Sequence, residues 1–248
     1  AASSAASGEL RPITIGVTAG TSEEVAEVVT KAAEKAGLKA TVKVFGDYQT
    51  PDAALASGEI DANSYQHEPF LQAYNANNKT DLVVAGKTYL APLALYSKKI
   101  KSASEIKDGA TIAIPNDPSN GGRALQLLAK QGWIELKPDV PATKVTKADI
   151  TKYVKKIKIV EIEAPQLPRS LDDTTASVIN AGYAFAANLT KKDQIVAEDN
   201  TSPYVNIIAV KKGRETDPSI VKYIEIFHTE PVKKFIEDKY KGQVVPAW

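Results

Sequence analysis

The strongest constraint on the fold of this chain is an alternation of strand-like and helix-like segments. Residues 13–17 (ITIGV) are a short apolar run of the strand type. Apolar residues between 25 and 36 then recur at helical spacing, and Thr21 and Glu24 have the spacing of a capping box with Thr21 as the cap. Residues 40–44 alternate apolar and polar side chains, as strands do. Together these segments predict a βαβ unit with two parallel strands and a right-handed crossover.

The alternation continues to the end of the chain. Further strands are predicted at residues 60–63, 82–85, 92–96, 111–114, 157–164, 177–179 and 204–210. Further helices are predicted at residues 51–57, 67–77, after a cap at Ser102 with Glu105 behind it, and at 120–131, 218–227 and 231–240. The pattern occurs twice, and no Gly/Ser-rich or Pro-rich linker separates the halves. We therefore expect two α/β lobes that are joined by strands and can close about a hinge.

Composition excludes several kinds of function. The 31 Lys and Arg residues nearly balance the 30 Asp and Glu residues, so no strong field attracts nucleic acid or an anionic membrane. Cysteine is absent, which excludes disulfides, thiolate nucleophiles and zinc–thiolate sites. The apolar runs are too short to span a bilayer. The chain begins without methionine, and residues 1–10 (AASSAASGEL) are expected to be a flexible leader left by processing or trimming.

One of the two histidines lies in an aromatic stretch, residues 61–74 (DANSYQHEPFLQAY). Tyr65, Phe70 and Tyr74 surround His67, which predicts either the start of a hydrophobic helix with a satisfied histidine or the wall of a pocket. By itself this stretch favours the first interpretation. His67 and His228 are too few and too far apart to indicate a metal site. A hydrolase that uses His67 stays an alternative, although the chain has no GxSxG nucleophile motif.

Three polar residues stand where the local pattern calls for a partner. Residues 112–126 (IAIPNDPSNGGRALQ) predict a helix capped by Ser119 or Asn120, with Arg123 in its first turn. A cation opposes the helix dipole there, and a bound anion would reverse that penalty. A solvated surface arginine is an equally good interpretation. Asn206 lies inside an apolar strand, where an amide needs a partner in the protein or in a ligand. Asn180 ends a strand, where it is either such a residue or an ordinary strand-end or turn-capping asparagine; this second interpretation is weaker for Asn206.

Taken together, these segments resemble the methionine-binding proteins of ABC importers, the NlpA or MetQ lipoprotein family. The matching motifs occur in the family's order: GDYQTPDAALASGEIDANSYQHEPFLQ, PLALYSKKIKS, IAIPNDPSNGGRAL, IVEIEAPQLPRSLDD, VINAGYA, SPYVNII and the terminal Trp248. The resemblance covers residues 11–248. It implies the type II periplasmic-binding-protein fold, with two α/β lobes, two crossover hinge strands and a ligand cleft between the lobes. The expected bounds are residues 11–94 plus 207–248 for lobe I and 95–206 for lobe II.

The resemblance also implies a function and a set of site residues. The aromatic side-chain pocket falls on Tyr48, Tyr65, His67 and Phe70, the arginine that binds the carboxylate on Arg123, and two polar asparagines on Asn180 and Asn206. The implied function is capture of methionine in the periplasm or another extracytoplasmic space and its delivery to the permease subunits of an ABC transporter. No catalysis, cofactor, metal or nucleic acid is implied, and a monomer is expected. The family's lipid-bearing cysteine has no counterpart in the sequence, so any lipid anchor lies outside it. The alternative with the same fold is another ligand: a different amino acid, a methionine-containing dipeptide or a sulfonate.

Overall fold

The computed structural model describes residues 10–199 and 203–248, so the predicted leader lies almost wholly outside the described residues. The strands are β1 (Ile13–Thr18), β2 (Ala40–Phe45), β3 (Ala62–His67), β4 (Val83–Lys87), β5 (Tyr89–Leu90), β6 (Ala94–Tyr96), β7 (Thr111–Pro115), β8 (Ile134–Leu136), β9 (Ile150–Tyr153), β10 (Lys158–Ile162), β11 (Ala176–Ile179), β12 (Gln194–Ala197), β13 (Asn206–Val210) and β14 (Val245–Pro246). The α-helices are α1 (Thr21–Lys35), α2 (Thr50–Ser57), α3 (Glu68–Asn78), α4 (Pro118–Lys130), α5 (Leu167–Ser170), α6 (Ala181–Ala186), α7 (Pro218–Phe227) and α8 (Glu230–Tyr240). The predicted alternation of strands and helices is confirmed.

The described residues form two compact units. The first contains residues 10–90 and 204–248, and the second contains residues 91–199 together with Pro203. The first unit is therefore discontinuous in sequence, and the second is inserted into it. This division places Asn206 in the first unit. The lobe boundaries expected from the sequence, after residues 94 and 206, stay predictions.

The first unit is built on a five-stranded sheet with the order β2-β1-β3-β13-β4. Strand β1 is parallel to β2 and to β3, as the βαβ pattern predicted. Strand β13 enters from the far end of the sequence and is antiparallel to β3 and β4 on either side. Its central position explains why residues 207–210 are all buried.

The second unit repeats this arrangement with a sheet of order β10-β7-β11-β6-β12. Strands β10, β7 and β11 are parallel, whereas β6 is antiparallel to β11 and β12. Helix α4 packs its apolar side, which includes Leu125 and Leu128, into one core with the buried side chains of β7. This core fixes the position of α4 and therefore of the arginine that the helix carries.

Three predictions about local structure were wrong. The cap of α1 is Gly20, with φ of 96°, and Thr21 lies inside the helix because the N–H of Glu24 donates to the carbonyl of Gly20. The helix expected after Ser102 is a single 3-10 turn, although Glu105 does accept the N–H of Ser102 as predicted. The strand expected at residues 60–63 is β3, which begins at Ala62 and runs to His67.

In the part of the chain that the structure describes, no helix combines the length and the apolar character needed to cross a bilayer.

Candidate ligand-binding site

Three of the aromatic residues predicted from the sequence pack together in the first unit. The ring centroids of Tyr48, Tyr65 and Phe70 form a triangle with sides of 5.9, 5.9 and 6.1 Å. Tyr65 and Phe70 are buried, whereas Tyr48 is half-buried. The hydroxyl of Tyr65 donates a 2.7 Å hydrogen bond to the carbonyl of Tyr48, which holds the two tyrosines together. We call these three residues the aromatic cluster.

His67 joins this cluster at the junction of β3 and α3. It is the N-cap of α3, and its Nδ1 accepts the N–H of Phe70 at 3.1 Å. Its ring lies edge-on to Phe70 at 6.2 Å and to Tyr204 at 4.9 Å. Because Nδ1 acts as an acceptor, a neutral imidazole carries its proton on Nε2. This capping role makes His67 a poor general base through Nδ1.

A buried polar network lies on the neighbouring elements of the same unit. Asp52, in the first turn of α2, is fully buried. Its Oδ1 accepts the amides of Asn63 at 2.9 Å and Gln66 at 2.7 Å, both from β3. Burial removes water from the carboxylate and raises the pKa of Asp52 to about 6, although the two amide donors oppose the shift. The network connects α2 to the strand that carries Tyr65.

Asn206 also belongs to the first unit. It begins β13 and is the register partner of His67 in the antiparallel pair with β3. Its carbonyl accepts the N–H of Thr88 at 2.8 Å, and its side chain lies beside the hydroxyl of Tyr89. The amide therefore has a polar neighbour within the protein, and the strand places it beside the histidine.

In the second unit, Arg123 lies farther along α4 than the sequence suggested. The helix is capped by Asp117, whose carboxylate accepts the N–H of Asn120 at 3.0 Å, and Pro118 is its first residue. Arg123 is therefore in the second turn, and Ser119 and Asn120 are helical residues instead of caps. Only 4% of the side-chain surface of Arg123 is exposed, so the interpretation as a solvated surface arginine is wrong.

The guanidinium of Arg123 is held by an ion pair and by a backbone carbonyl. Nε donates to Oε1 and Oε2 of Glu198 at 3.0 and 2.9 Å, and Nη2 donates to Oε1 at 2.6 Å. Nη2 also donates to the carbonyl of Ala91 at 3.1 Å. Glu198 accepts the N–H of Leu93 at 2.8 Å. The arginine is thus fixed by a bidentate contact along its Nε–Nη2 edge.

Asn180 is the second predicted site residue of this unit. It follows β11 and is the N-cap residue of α6, with 8% of its surface exposed. Its Oδ1 is buried and has no hydrogen-bond partner among the described residues. A buried acceptor in this state costs free energy of about 1–3 kcal/mol unless a donor reaches it. The oxygen is suited to the ammonium or amide of a ligand.

The structure thus divides the seven predicted residues into two sets. Tyr48, Tyr65, His67, Phe70 and Asn206 lie in the first unit, and Arg123 and Asn180 lie in the second. Among the residues that the structure describes, no group of three or more His, Cys, Asp or Glu side chains could hold a metal ion. The role of the seven predicted residues in binding a ligand stays a prediction.

Comparison with known proteins decides the family. The sequence profile described as NlpA lipoprotein matches residues 13–248 of the chain. The chain belongs to the NlpA lipoprotein family. The resemblance inferred from the chained motifs is confirmed.

Relatives within the NlpA family are similar over most of their length. The probable D-methionine-binding lipoprotein MetQ of Vibrio cholerae is 44% identical over 238 residues, which are 95% of this chain and 88% of the relative. The D-methionine-binding lipoprotein MetQ of Escherichia coli K12 is 42% identical, with the same two coverages. A nutrient binding protein from Burkholderia cenocepacia, solved bound to methionine, has a TM-score of 0.92 at 45% identity and covers 95% of this chain and 100% of its own. The predicted fold class, a periplasmic-binding-protein-like α/β fold, is confirmed.

Sequence reasoning missed three residues that this NlpA-family chain places around the predicted ones. Tyr204 touches His67, Glu198 pairs with Arg123, and Asp52 supports β3. A buried arginine needs a carboxylate nearby to compensate its charge, and this requirement predicts a partner such as Glu198. That signal does not select one acid among the 30 in the chain.

Proposed function

We propose that this protein is an extracytoplasmic substrate-binding protein that captures methionine and delivers it to the permease subunits of an ABC transporter. Membership of the NlpA family and the methionine-bound relative support this proposal. In this role the protein binds and releases its ligand without changing it. A monomer suffices, and a lipid anchor, as the family's description implies, would hold it at the membrane surface.

The aromatic cluster is the observation that carries the choice of ligand. Three rings within about 6 Å of one another, tilted or edge-on to each other and one of them half-buried, offer an apolar and polarisable surface. A thioether suits such a surface because sulfur–aromatic contacts contribute on the order of 0.3–1.5 kcal/mol each. His67 and Tyr204 extend the surface with two further rings.

The polar groups of the amino acid would be bound by the remaining predicted residues. The Arg123 guanidinium, already fixed in orientation, would donate hydrogen bonds to the ligand carboxylate. The unpartnered Oδ1 of Asn180 would accept a hydrogen bond from the ligand ammonium. Asn206 would orient the ligand next to His67. A ligand that lacks either the carboxylate or the ammonium loses part of these contacts.

A hydrolase that uses His67 is the rival from another class. The Nδ1 of His67 is occupied in capping α3, which disfavours this rival. A sulfur-free amino acid is the rival with the same fold. The hydrolase predicts that the ligand is chemically altered. The rival with the same fold predicts that a sulfur atom in the ligand does not strengthen binding.

Calorimetric titration with methionine and norleucine tests the proposal. Norleucine has the same shape with a methylene in place of sulfur, so we expect methionine to bind about threefold to tenfold more tightly. Phe70→Leu removes one ring but keeps an apolar side chain, and it should weaken methionine binding and reduce the preference over norleucine. Neither ligand should be chemically altered after the titration.

Phe235→Leu is the matched control, since Phe235 also lies edge-on to a tyrosine, Tyr240, but on helix α8. It should leave both affinities unchanged. Equal binding of methionine and norleucine by the wild-type protein would contradict the assignment of the aromatic cluster. Absence of methionine binding would contradict the proposed function as a whole.

A further inference from the structure

Glu198 is anchored independently of Arg123. Its backbone N–H donates to the carbonyl of Leu93 at 2.9 Å, and its side-chain Oε1 accepts the N–H of Leu93 at 2.8 Å. Two contacts to one residue fix both the backbone and the carboxylate of Glu198. The carboxylate is therefore a rigid acceptor to which the long side chain of Arg123 adapts.

The burial of this pair sets it apart from the ion pairs around it. The side chains of Arg123 and Glu198 are 4% and 15% exposed, whereas the adjacent pair of Lys130 and Asp199 is 66% and 59% exposed. Exposed pairs contribute little because water and salt screen them. A buried guanidinium instead depends on its partner for both charge compensation and geometry.

We infer that Glu198 is a positioning residue for ligand recognition: it holds the Arg123 guanidinium in the orientation that receives the carboxylate of the bound amino acid. This inference rests on the proposed function, because it assigns Glu198 a part in the same site. The contact along the Nε–Nη2 edge fixes the plane of the guanidinium, and the carbonyl of Ala91 fixes its rotation within that plane. An arginine whose donors are already oriented loses less conformational entropy when it binds a ligand.

If Glu198 positions the Arg123 guanidinium, its substitution should have an effect that substitution of a purely structural residue would not have. Only the ligand carboxylate would sense a misoriented guanidinium, so the effect should depend on whether the ligand has a carboxylate. Methioninol, which has a hydroxymethyl group in its place, keeps the thioether and the ammonium. The ratio of the affinities for methionine and methioninol therefore reports on Arg123 and is independent of the fraction of protein that is folded.

The experiment is calorimetric titration of methionine and methioninol into wild-type protein and three variants. Glu198→Ala should weaken methionine binding about tenfold or more, which is the loss expected when a charge-assisted hydrogen bond to the ligand carboxylate is misaligned. The same variant should change methioninol binding less than about threefold, because methioninol has no carboxylate. Glu198→Gln keeps an oxygen that can accept from Nη2 and from Leu93, so it should recover most of the lost affinity. Asp199→Asn, the matched control, removes the neighbouring exposed charge and should leave the ratio as in the wild type.

Each other outcome overturns the inference in a recognisable way. An unchanged ratio in Glu198→Ala, whether both affinities fall together or neither falls, would show that Glu198 does not position Arg123. Tighter binding of methionine by Glu198→Ala would show that Glu198 competes with the ligand. If the wild-type protein binds no methionine, the proposed function is wrong and the role of Glu198 falls with it. If the wild type binds methionine and only the Glu198 variants behave differently from expectation, the proposed function stands.

Discussion

At the scale of single residues, Asp52 destabilises the first unit when its carboxyl group is ionised. Its carboxyl group is fully buried, and Oδ2 has no hydrogen-bond partner among the described residues. The folded protein therefore binds a proton at Asp52 more tightly than the unfolded chain does, with a pKa of about 6 against an ordinary value of 3.8. Ionised Asp52 lowers the free energy of unfolding near pH 7. As the pH falls through 6 towards 4, this destabilisation disappears.

Asp52→Asn should therefore stabilise the protein at pH 7 and leave it little changed near pH 4. The amide keeps an oxygen that can accept from Asn63 and Gln66 and carries no charge. The difference of about two pKa units corresponds to at most about 3 kcal/mol. Urea unfolding of both proteins between pH 4 and 7 measures it. Asp238→Asn, at an exposed position on α8, is the control and should shift the free energy of unfolding by less than about 0.5 kcal/mol. A variant less stable than wild type at pH 7 would contradict the account of Asp52.

The candidate residues themselves were only partly predictable. The motifs identified Arg123, but its partner Glu198 lies 75 residues away in sequence. A long-range ion pair leaves no periodic signal. The unsatisfied oxygen of Asn180 follows from the packing around it, which a strand-end asparagine does not reveal in the sequence. Residue types were therefore predictable, whereas their partners required the fold.

At the scale of elements, the two glycines of α4 explain how the helix reaches its position. A Cβ atom on Gly122 would lie 2.5 Å from the carbonyl oxygen of Val145, and one on Gly121 would lie 3.0 Å from that of Pro115. Both obstacles are backbone atoms, which cannot move aside as a flexible side chain can. The glycines allow α4 to pack closely there, and Arg123 follows directly after them.

Gly122→Ala should destabilise the protein by about 1–3 kcal/mol, as overpacked positions do. In an unobstructed helix the same substitution is stabilising by about 1 kcal/mol, so the sign of the effect is diagnostic. Thermal unfolding measures it. Gly46→Ala is the matched control because its Cβ would meet no atom within 4 Å. Stabilisation by Gly122→Ala would contradict the close approach to Val145.

Some elements could be predicted and others could not, for physical reasons. The apolar periodicity of α1 and α7 marks one buried face, and both helices were predicted to within a few residues. Strand β3 has the sequence ANSYQH and is buried at every position. Two of its polar residues, Asn63 and Gln66, donate their side-chain amides to Asp52, so the usual link between burial and apolar sequence does not hold there. The sequence therefore predicted a strand that ended at residue 63, whereas β3 continues to His67.

At the scale of the whole molecule, the alternation of strands and helices predicted α/β architecture, and the chained motifs predicted the family. The order of the strands was beyond the sequence alone. Strand β13 follows more than a hundred residues of inserted chain and then enters the middle of the first sheet, between β3 and β4. Nothing local in residues 206–210 specifies these neighbours. The position matters because it places Asn206 next to His67.

The central claim is that the protein selects methionine among amino acids. Protein stripped of ligand by unfolding and refolding can be offered an equimolar mixture of the standard amino acids, and native mass spectrometry then identifies what stays bound. We predict one methionine for each protein chain, because methionine alone combines a zwitterionic end with an unbranched thioether. Retention of a different amino acid, or of none, would contradict the account.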